Sequence, residues 1–311
     1  MGRSETIVIG TRGSALARWQ ADHIAGELRR LHPGLVVEQQ IVVTEGDRTQ
    51  TGPVIELGGK GVWVKEIEEK LLAGEIDLAV HSLKDVPAHL PAGLSLVAIP
   101  PRADPRDALV SRSGETLPAL PPGTRVGTSS LRRVCQLRAA RSDLKIELLR
   151  GNVDTRLRKV AEGQVDAAIL ACAGLDRLGF AARISERLST TLMLPAIGQG
   201  ALALEARLGD QRVLALVRDL SDPVAETTVA AERALLSALG VGCRTPVAGH
   251  ATIELGRLVV RGLVARPDAS EILLEEVVGP PEAAAELGAA LGARLIARGA
   301  DRILAELEAV G

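Results

Sequence analysis

Apolar positions in the first hundred residues follow two different repeats. Four short apolar runs have the length of buried strands and cover residues 7–9, 36–43, 76–80 and 94–99. Between them, apolar side chains recur at helical spacing over residues 14–31 and 62–73, which predicts two helices. Strands that alternate with helices are typical of an α/β domain, and we expect a mainly parallel sheet.

A second region with the same alternation follows a proline-rich linker at residues 100–105. Its strands are predicted near 108–111, 124–128, 145–149 and 165–170, and its helices near 129–141, 154–162 and 172–179. The segment 194–200 indicates a second crossing, after which a strand at 201–205 returns the chain to the first domain. Two adjacent crossings predict two lobes with a hinge and a central cleft.

The pattern changes after residue 222. A helix is predicted over 223–239 and a glycine-rich loop over 240–244, followed by three strands and by helices near 281–298 and 300–309. Strands followed by helices favour a small α+β domain. The predicted domains are domain 1 at 1–100 plus 200–219, domain 2 at 105–195, and domain 3 at 222–311.

Composition narrows the possible functions. The 311 residues are enough for two or three domains, and the net charge of −2 with only three aromatic residues argues against a nucleic-acid binder. The three cysteines form no CxxC pair and the five histidines show no ligand spacing, so we expect neither disulfide nor metal. No signal peptide and no apolar run of about 18 residues is present, which predicts a cytoplasmic protein that does not bind membranes.

Arginine occurs three times where a strand runs through a small-residue turn into a helix. The segments are 7–14, 126–133 and 148–156. A helix N-terminus already carries partial positive charge, so a cation there is locally unfavourable. Three such arginine turns favour the binding of an anion by guanidinium groups and backbone N–H groups. The alternative is three ordinary helix starts with solvated arginines.

Two further segments carry candidate chemistry. Lys84 and Asp85 follow the strand predicted at 76–80, where ligands bind in α/β sheets, although such a pair is often only a solvated ion pair. Placed among cationic groups, Asp85 suits the stabilisation of a positive charge. Cys243 lies in a loop beside Arg244, which favours a thiolate, and both a functional and an inert thiol stay open.

The glycine-rich segment 58–61 contains Lys60 but lacks the spacing of a nucleotide-binding loop. It favours a mobile flap that carries one cationic side chain. A nucleotide-dependent transferase is therefore disfavoured.

Taken together, these segments resemble the porphobilinogen deaminase (hydroxymethylbilane synthase) family over nearly the whole chain. The matching stretches are 11–14, 58–61, 79–87, 127–133, 149–153, 195–200 and 242–243. The resemblance implies two domains like type II periplasmic binding proteins and a third small domain. It also implies a monomeric, cytoplasmic transferase of tetrapyrrole synthesis, which joins four porphobilinogen molecules head to tail with loss of ammonia to give 1-hydroxymethylbilane.

The same resemblance implies a dipyrromethane cofactor, held by a thioether to Cys243, and a catalytic Asp85. It assigns cofactor contacts to Lys84, Asp85, Ser130, Arg132, Arg133, Arg150 and Gly151, substrate contacts to Arg12, Ser14, Arg150, Arg156, Arg177 and Gln199, and a flap to Lys60 and Trp63. The acetate and propionate groups of each pyrrole would pair with the arginines. The implied partners are porphobilinogen and the growing oligopyrrole.

Three positions depart from the commoner pattern of this family. Trp63 stands where phenylalanine is frequent, Val241 where glycine is usual, and Asp176 where lysine is often found. None of them touches the proposed catalytic carboxylate. The alternative function is a non-catalytic, cytoplasmic polyanion-binding module of the same two-lobed fold.

Overall fold

The computed structural model describes residues 6–45, 64–240 and 245–310. The chain divides into two compact units. The first comprises Met1–Arg102 and Ala201–Glu226, and the second comprises Ala103–Gly200 and Thr227–Gly311. The first two unit boundaries therefore fall at the linker and the second crossing that the sequence predicts.

Thirteen strands and nine helices lie in the described part of the chain. The strands are β1 (Thr6–Thr11), β2 (Val36–Ile41), β3 (Leu78–Ser82), β4 (Leu94–Ala98), β5 (Asp107–Ser111), β6 (Arg125–Gly127), β7 (Lys145–Glu147), β8 (Ala167–Ala171), β9 (Glu186–Arg187), β10 (Leu202–Arg207), β11 (Val247–Glu254), β12 (Arg257–Ala265) and β13 (Ile272–Gly279). The helices are α1 (Ala15–Leu31), α2 (Lys65–Leu72), α3 (Leu131–Ala140), α4 (Val153–Ala161), α5 (Cys172–Arg177), α6 (Gln211–Val217), α7 (Pro223–Leu239), α8 (Ala284–Ala297) and α9 (Ala300–Val310).

The first unit is built on a five-stranded sheet in the order β2-β1-β3-β10-β4. Both faces of the sheet are covered, because successive strand residues pack into different cores. Ile7 and Ile9 pack with helix α1 on one face, whereas Val8 packs on the other face with Ile67 and Leu71 of helix α2. This burial on both sides explains the nearly continuous apolar runs in the strands.

The second unit contains two separate sheets. One has the order β7-β6-β8-β5-β9 and the other is the antiparallel sheet β11-β12-β13, which packs against helices α8 and α9. The predicted α/β class with a small C-terminal α+β part is confirmed. The three-domain division with its particular boundaries stays a prediction.

The expectation of a mainly parallel sheet is confirmed, because four of the five strands in each five-stranded sheet run in the same direction. Strand β10 runs antiparallel to both of its neighbours in the first sheet, and strand β5 does so in the second. Each of these strands begins within a few residues of a point where the chain passes from one unit to the other. A strand that enters in this way, rather than through a crossover helix, need not run parallel to its neighbour.

No helix among the described residues is long and apolar enough to span a membrane. In the same ranges, no group of three acidic, histidine or cysteine side chains is placed to hold a metal ion.

Candidate active site

In the first unit, the predicted residues lie at the carboxyl ends of two paired strands. Strands β1 and β3 are parallel neighbours, so the turns that follow them meet at one edge of the sheet. Arg12 and Ser14 follow β1, and Lys84 and Asp85 follow β3. The Ser14 hydroxyl accepts a hydrogen bond from the Ala17 amide at 3.3 Å, so it caps helix α1.

Lys84 and Asp85 belong to a single 3₁₀ turn over Leu83–Asp85. The turn is anchored by the buried Leu83, whose N–H donates to the carbonyl of Ala201 at 3.1 Å, and by the Val86 N–H, which donates to the Leu83 carbonyl at 3.0 Å. Lys84 and Asp85 are half-buried. The two charged side chains therefore project from a turn whose backbone is held on both sides.

Strand β3 extends further than the sequence predicts. His81 and Ser82 were expected to follow the strand, but they belong to it because they pair with Ala203 and Leu202 of β10. The imidazole of His81 is buried, and its Nε2 lies within hydrogen-bond distance, 2.9 Å, of Oε2 of Glu205. Glu205 is a buried acidic residue that the sequence pattern did not single out.

In the second unit, a buried carboxylate organises the arginines of one turn. Asp107, the first residue of β5, is fully buried. Arg132 donates through one terminal nitrogen to Asp107 Oδ2 and to the Leu194 carbonyl, both at 2.7 Å. Arg133 donates through Nε and Nη2 to Asp107 Oδ1, at 3.1 and 2.7 Å, and through Nη1 to the carbonyl of Ile169.

Electrostatics explains why this buried cluster is stable. Burial opposes the charge of Asp107, but the two guanidinium groups outweigh it and hold the pKa of that carboxyl well below its usual range. Burial lowers the pKa of the Arg133 guanidinium. Two cations facing one anion leave the three side chains with one net positive charge.

Gln199 belongs to the same cluster. Its side-chain nitrogen donates to the Pro105 carbonyl at 2.7 Å and to Asp107 Oδ1 at 3.0 Å. Arg177 is far from Gln199 in the sequence, but its Nη2 donates a hydrogen bond to the carbonyl of the next residue, Gly200, at 2.8 Å. Burial lowers the pKa of Arg177 to about 10. A guanidinium group that has lost much of its hydration favours a nearby anion.

The third arginine turn is shaped by a glycine. Gly151 has a φ of 116°, and a Cβ at this position would lie 2.9 Å from the Cβ of Thr155. Only glycine fits such a turn without strain. The carbonyl of Gly151 accepts from Arg156 Nε at 2.7 Å, and the carbonyl of Arg150 accepts from Lys159 Nζ at 3.1 Å.

The second-unit residues share one edge of their sheet. Strands β6, β7 and β8 are mutually parallel, and their carboxyl ends lead to Ser130, to Arg150 and to helix α5 respectively. Asp107 lies at the same edge because β5 is antiparallel to β8 and pairs Asp107 with Ala171. Each unit thus brings its predicted residues to one edge, as expected for ligand sites in α/β sheets.

Cys135 and Cys172 are buried, as the sequence pattern indicates. Burial raises the pKa of Cys135 to about 11 and that of Cys172 to about 12, so neither thiol is a good nucleophile at neutral pH. The other predictions for Lys60, Trp63 and Cys243 lie outside the described residues.

The residues present fit a ligand rich in carboxylates. The Asp107 cluster has a surplus positive charge, and Arg177 is a desolvated cation with the backbone carbonyl of Gly200 as a neighbour. A carboxylate-bearing oligopyrrole would balance the surplus charge of the Asp107 cluster. Planar guanidinium groups can also bind each carboxylate through two hydrogen bonds.

Comparison with known proteins points to the family that the sequence motifs resemble. Residues 7–215 match the family model described as porphobilinogen deaminase, dipyromethane cofactor binding domain, and residues 226–297 match the model of the C-terminal domain of the same enzyme. The porphobilinogen deaminase of Syntrophotalea carbinolica is 52% identical over 98% of this chain and 97% of its own length. That of Thiobacillus denitrificans is 49% identical over 98% and 99% respectively.

Among solved structures, a TRAP periplasmic solute binding protein from Desulfovibrio salexigens is 13% identical, covers 70% of this chain and 73% of its own, and has a TM-score of 0.43. With two family models matched in order and close relatives aligned from end to end, the chain belongs to the porphobilinogen deaminase family.

Proposed function

We propose that the chain is the transferase that joins four porphobilinogen molecules head to tail, with release of ammonia, to give 1-hydroxymethylbilane in tetrapyrrole biosynthesis. The observation that carries this proposal is the match of residues 7–215 to a family model defined by binding of the dipyrromethane cofactor. A non-catalytic polyanion-binding module is not favoured, because the close relatives are named as deaminases.

The arginine turns bind the acidic side chains of the pyrroles. Arg12, Arg150, Arg156 and Arg177 contact the acetate and propionate groups of the substrate, together with Ser14 and Gln199, whereas Lys84, Ser130, Arg132, Arg133, Arg150 and Gly151 hold those of the cofactor. Bidentate pairing suits guanidinium groups better than ammonium groups. The surplus charge at the Asp107 cluster supports the cofactor assignment, because one carboxylate would neutralise it.

Asp85 acts on the charge that develops during the reaction. When ammonia leaves porphobilinogen, the methylene carbon and its pyrrole ring become positively charged. The carboxylate of Asp85 accepts a hydrogen bond from the pyrrole N–H and stabilises this charge electrostatically. The anchored backbone of the Leu83–Asp85 turn supports this role, because a fixed carboxylate needs no reorganisation during the reaction.

The cofactor is dipyrromethane, and we propose that a thioether bond joins it to Cys243. Once bound, it supplies the pyrrole carbon to which the first substrate is joined. The flap that the resemblance assigns to Lys60 and Trp63 stays a prediction, because both lie outside the described residues. The enzyme acts as a monomer in the cytoplasm, without nucleic-acid or membrane partners.

The test is turnover of porphobilinogen by the purified protein and by Asp85→Asn. We expect the unmodified protein to release one ammonia for each porphobilinogen consumed and to form a four-pyrrole product by mass spectrometry. Asp85→Asn removes the negative charge while keeping the shape of the side chain. We expect it to lower turnover about a hundredfold or more, because the lost interaction is made in the transition state.

Asp22→Asn is the control. The Asp22 side chain is exposed on helix α1 and accepts a hydrogen bond only from Gln39 in the contacts that the structure describes. It should retain the activity of the unmodified protein. Porphobilinogen binding without ammonia release by the unmodified protein would favour the polyanion-binding module, and near-normal turnover by Asp85→Asn would remove Asp85 from its proposed role.

A further inference from the structure

A buried acidic cluster lies beneath the turn that carries Lys84 and Asp85. It consists of His81 on β3, Glu205 on β10 and Glu68 on α2, and it lies in the first unit. Each of the three side chains is at least nine-tenths buried, with exposures of 5%, 0% and 6%. His81 Nε2 and Glu205 Oε2 are 2.9 Å apart.

The strand register explains how the three groups meet. His81 pairs with Ala203, and Glu205 pairs with Ala79, so both polar side chains project from the same face of the sheet. The apolar neighbours on this face include Ala79 and the α2 residues Ile67 and Leu71. Helix α2 packs on this face and contributes Glu68, which feels the charges of both Glu205 and His81.

Stability alone does not account for a buried polar pair at this place. The backbone ladder between β3 and β10 already fixes four residue pairs. Burying an ion pair in an apolar core is costly, and replacing one by apolar side chains of similar volume is often neutral or stabilising. A cluster of this kind is better explained by what it does to the geometry of its neighbours.

Two carboxylate oxygens of the cluster are buried without a hydrogen bond in the part of the chain that the structure describes. Glu68 Oε1 and Glu205 Oε1 are both buried and have no hydrogen-bond partner among the described residues. Burial, together with the negative charge of Glu205, raises the pKa of Glu68 to about 7. A neutral Glu68 carries an O–H group that can donate a hydrogen bond, and Oε1 of Glu205 can accept that bond.

We propose that His81, Glu205 and Glu68 form a hydrogen-bonded brace, in which His81 and a neutral Glu68 both donate to Glu205, and that this brace positions the Lys84–Asp85 turn. The same two strands that the brace joins also hold the turn. Leu202 pairs with Ser82 at the end of the ladder, and Ala201 accepts the N–H of Leu83. The brace therefore locks the register of β3 and β10 two residues before the turn begins.

The three residues are positioning residues, because none of them is assigned a contact with substrate or cofactor. Their catalytic effect rests on the proposed function, in which Asp85 stabilises a developing positive charge. Their effect on the backbone of the turn does not rest on it.

The main test variant is Glu205→Leu, which removes the shared acceptor and keeps an apolar side chain of similar size. Two quantities are measured on the purified holoenzyme. The first is hydrogen exchange of the segment Leu83–Val86, and the second is the pair kcat and KM for porphobilinogen. We expect protection of the segment to fall about tenfold or more. We expect kcat to fall about tenfold while KM changes by less than about threefold, because Asp85 acts in the transition state.

Two further variants separate positioning from general destabilisation. Glu205→Gln keeps an acceptor oxygen for His81 and should restore most of the protection and of kcat. Leu204→Val weakens the packing of the same strand on its opposite face, where Leu204 is fully buried, and should leave the exchange of the turn unchanged. If Glu205→Leu does not fold, Glu205→Leu/His81→Leu takes its place, since it leaves no orphaned imidazole.

Unchanged exchange and unchanged kcat in the folded leucine variant would overturn the brace. A glutamine variant as impaired as the leucine variant would also overturn it, because the hydrogen bond would then not be what matters. The proposed function fails separately, if the unmodified protein releases no ammonia from porphobilinogen. In that case, the exchange measurement still decides whether the brace exists.

Discussion

Arg132 and Arg133 are adjacent in the sequence but use their guanidinium groups differently. Arg133 donates from all three of its nitrogens to Asp107 and Ile169, whereas the hydrogen bonds found for Arg132 come from one terminal nitrogen. Arg133 is therefore committed mainly to the protein, and Arg132 keeps more of its donors for a ligand. The sequence pattern assigned the same role to both, because it contained no signal for Asp107.

Asp107 is the residue whose loss should be felt most strongly in the second unit. Asp107→Asn would leave two guanidinium groups buried without a carboxylate between them, and breaking a buried ion pair in this way costs about 3–5 kcal/mol. We expect this loss in the free energy of unfolding, measured by urea denaturation at neutral pH. Holoenzyme yield should fall with it.

The matched control is Asp143→Asn. Asp143 also pairs with an arginine, Arg141, but at the protein surface, where water screens the interaction. This variant should stay close to the unmodified protein. Equal losses of unfolding free energy in the two variants would show that the buried ion pairs of Asp107 stabilise the fold no more than a surface pair does.

Asp176 shows a second effect that the sequence did not reveal. It stands where a lysine is often found in the family, so this chain lacks one cation at that position. In the structure its carboxylate accepts two hydrogen bonds from Arg187, at 2.6 and 2.9 Å. The acidic side chain is thus neutralised by a partner within the same unit, and its effect on ligand charge is reduced.

At the scale of elements, the burial of Glu68 on helix α2 makes the stability of the fold depend on pH. Burial and the charge of Glu205 raise the pKa of Glu68 from 4.5 to about 7, against the opposing effect of His81. The other charged groups on the elements that pack here are Arg207 of β10 and, on the helix itself, Lys65, Glu66, Glu69 and Lys70, since β1 and β4 carry no titratable side chain. The folded protein therefore holds a proton on Glu68 that the unfolded chain releases.

This raised pKa predicts a particular slope of stability with pH. Between about pH 4.5 and pH 7 the folded protein binds more protons than the unfolded chain, so stability falls as the pH rises through this window and then levels off. Glu68→Gln cannot ionise and lacks this contribution. We expect its free energy of unfolding to fall about 1–3 kcal/mol less than that of the unmodified protein between pH 5 and pH 8.

The comparison uses urea denaturation at both pH values. Glu69→Gln, an exposed neighbour on the same helix, should keep the slope of the unmodified protein. Identical slopes for the unmodified protein and Glu68→Gln would show that Glu68 is ionised in the folded state at neutral pH.

The sequence predicted most elements because their periodicity is strong. The helix predicted over 223–239 is observed as Pro223–Leu239, and the first helix begins at Ala15 instead of residue 14 because Ser14 is its cap. The two-residue strand Glu186–Arg187 was missed, since it exists only through pairing with β5. Pairing between distant segments leaves no local repeat.

The same reason limits what the sequence indicates about the site. Turn residues such as Lys84 and Arg150 could be predicted because they follow apolar runs. The buried acids Asp107 and Glu205 could not, because each belongs to a strand and its hydrogen-bond partner lies far away in the sequence. Local pattern finds the groups that we propose to contact a ligand, and tertiary structure is needed to find the buried acids that bond to their neighbours.

At the scale of the whole molecule, the chain passes between its two units at Arg102, at Gly200 and again after Glu226. As a result, each unit contains candidate residues from one sheet edge, with Arg12, Lys84 and Asp85 in the first and the other candidate arginines in the second. Neither unit alone contains both the proposed catalytic carboxylate and the Asp107 cluster. The proposed activity therefore requires the full chain.

A last prediction concerns the covalent state of this full chain. Protein purified from a haem-synthesising host should have an intact mass that exceeds the polypeptide mass by two linked pyrrole units, because the cofactor is attached before substrate is supplied. Cys243→Ala should show the bare polypeptide mass and no turnover. Cys172→Ala is the control: its thiol is buried with a pKa of about 12, so it should keep the added mass. A bare polypeptide in the unmodified protein, or an added mass that survives in Cys243→Ala, would contradict attachment at Cys243 and leave the arginine turns without the ligand for which their charge is suited.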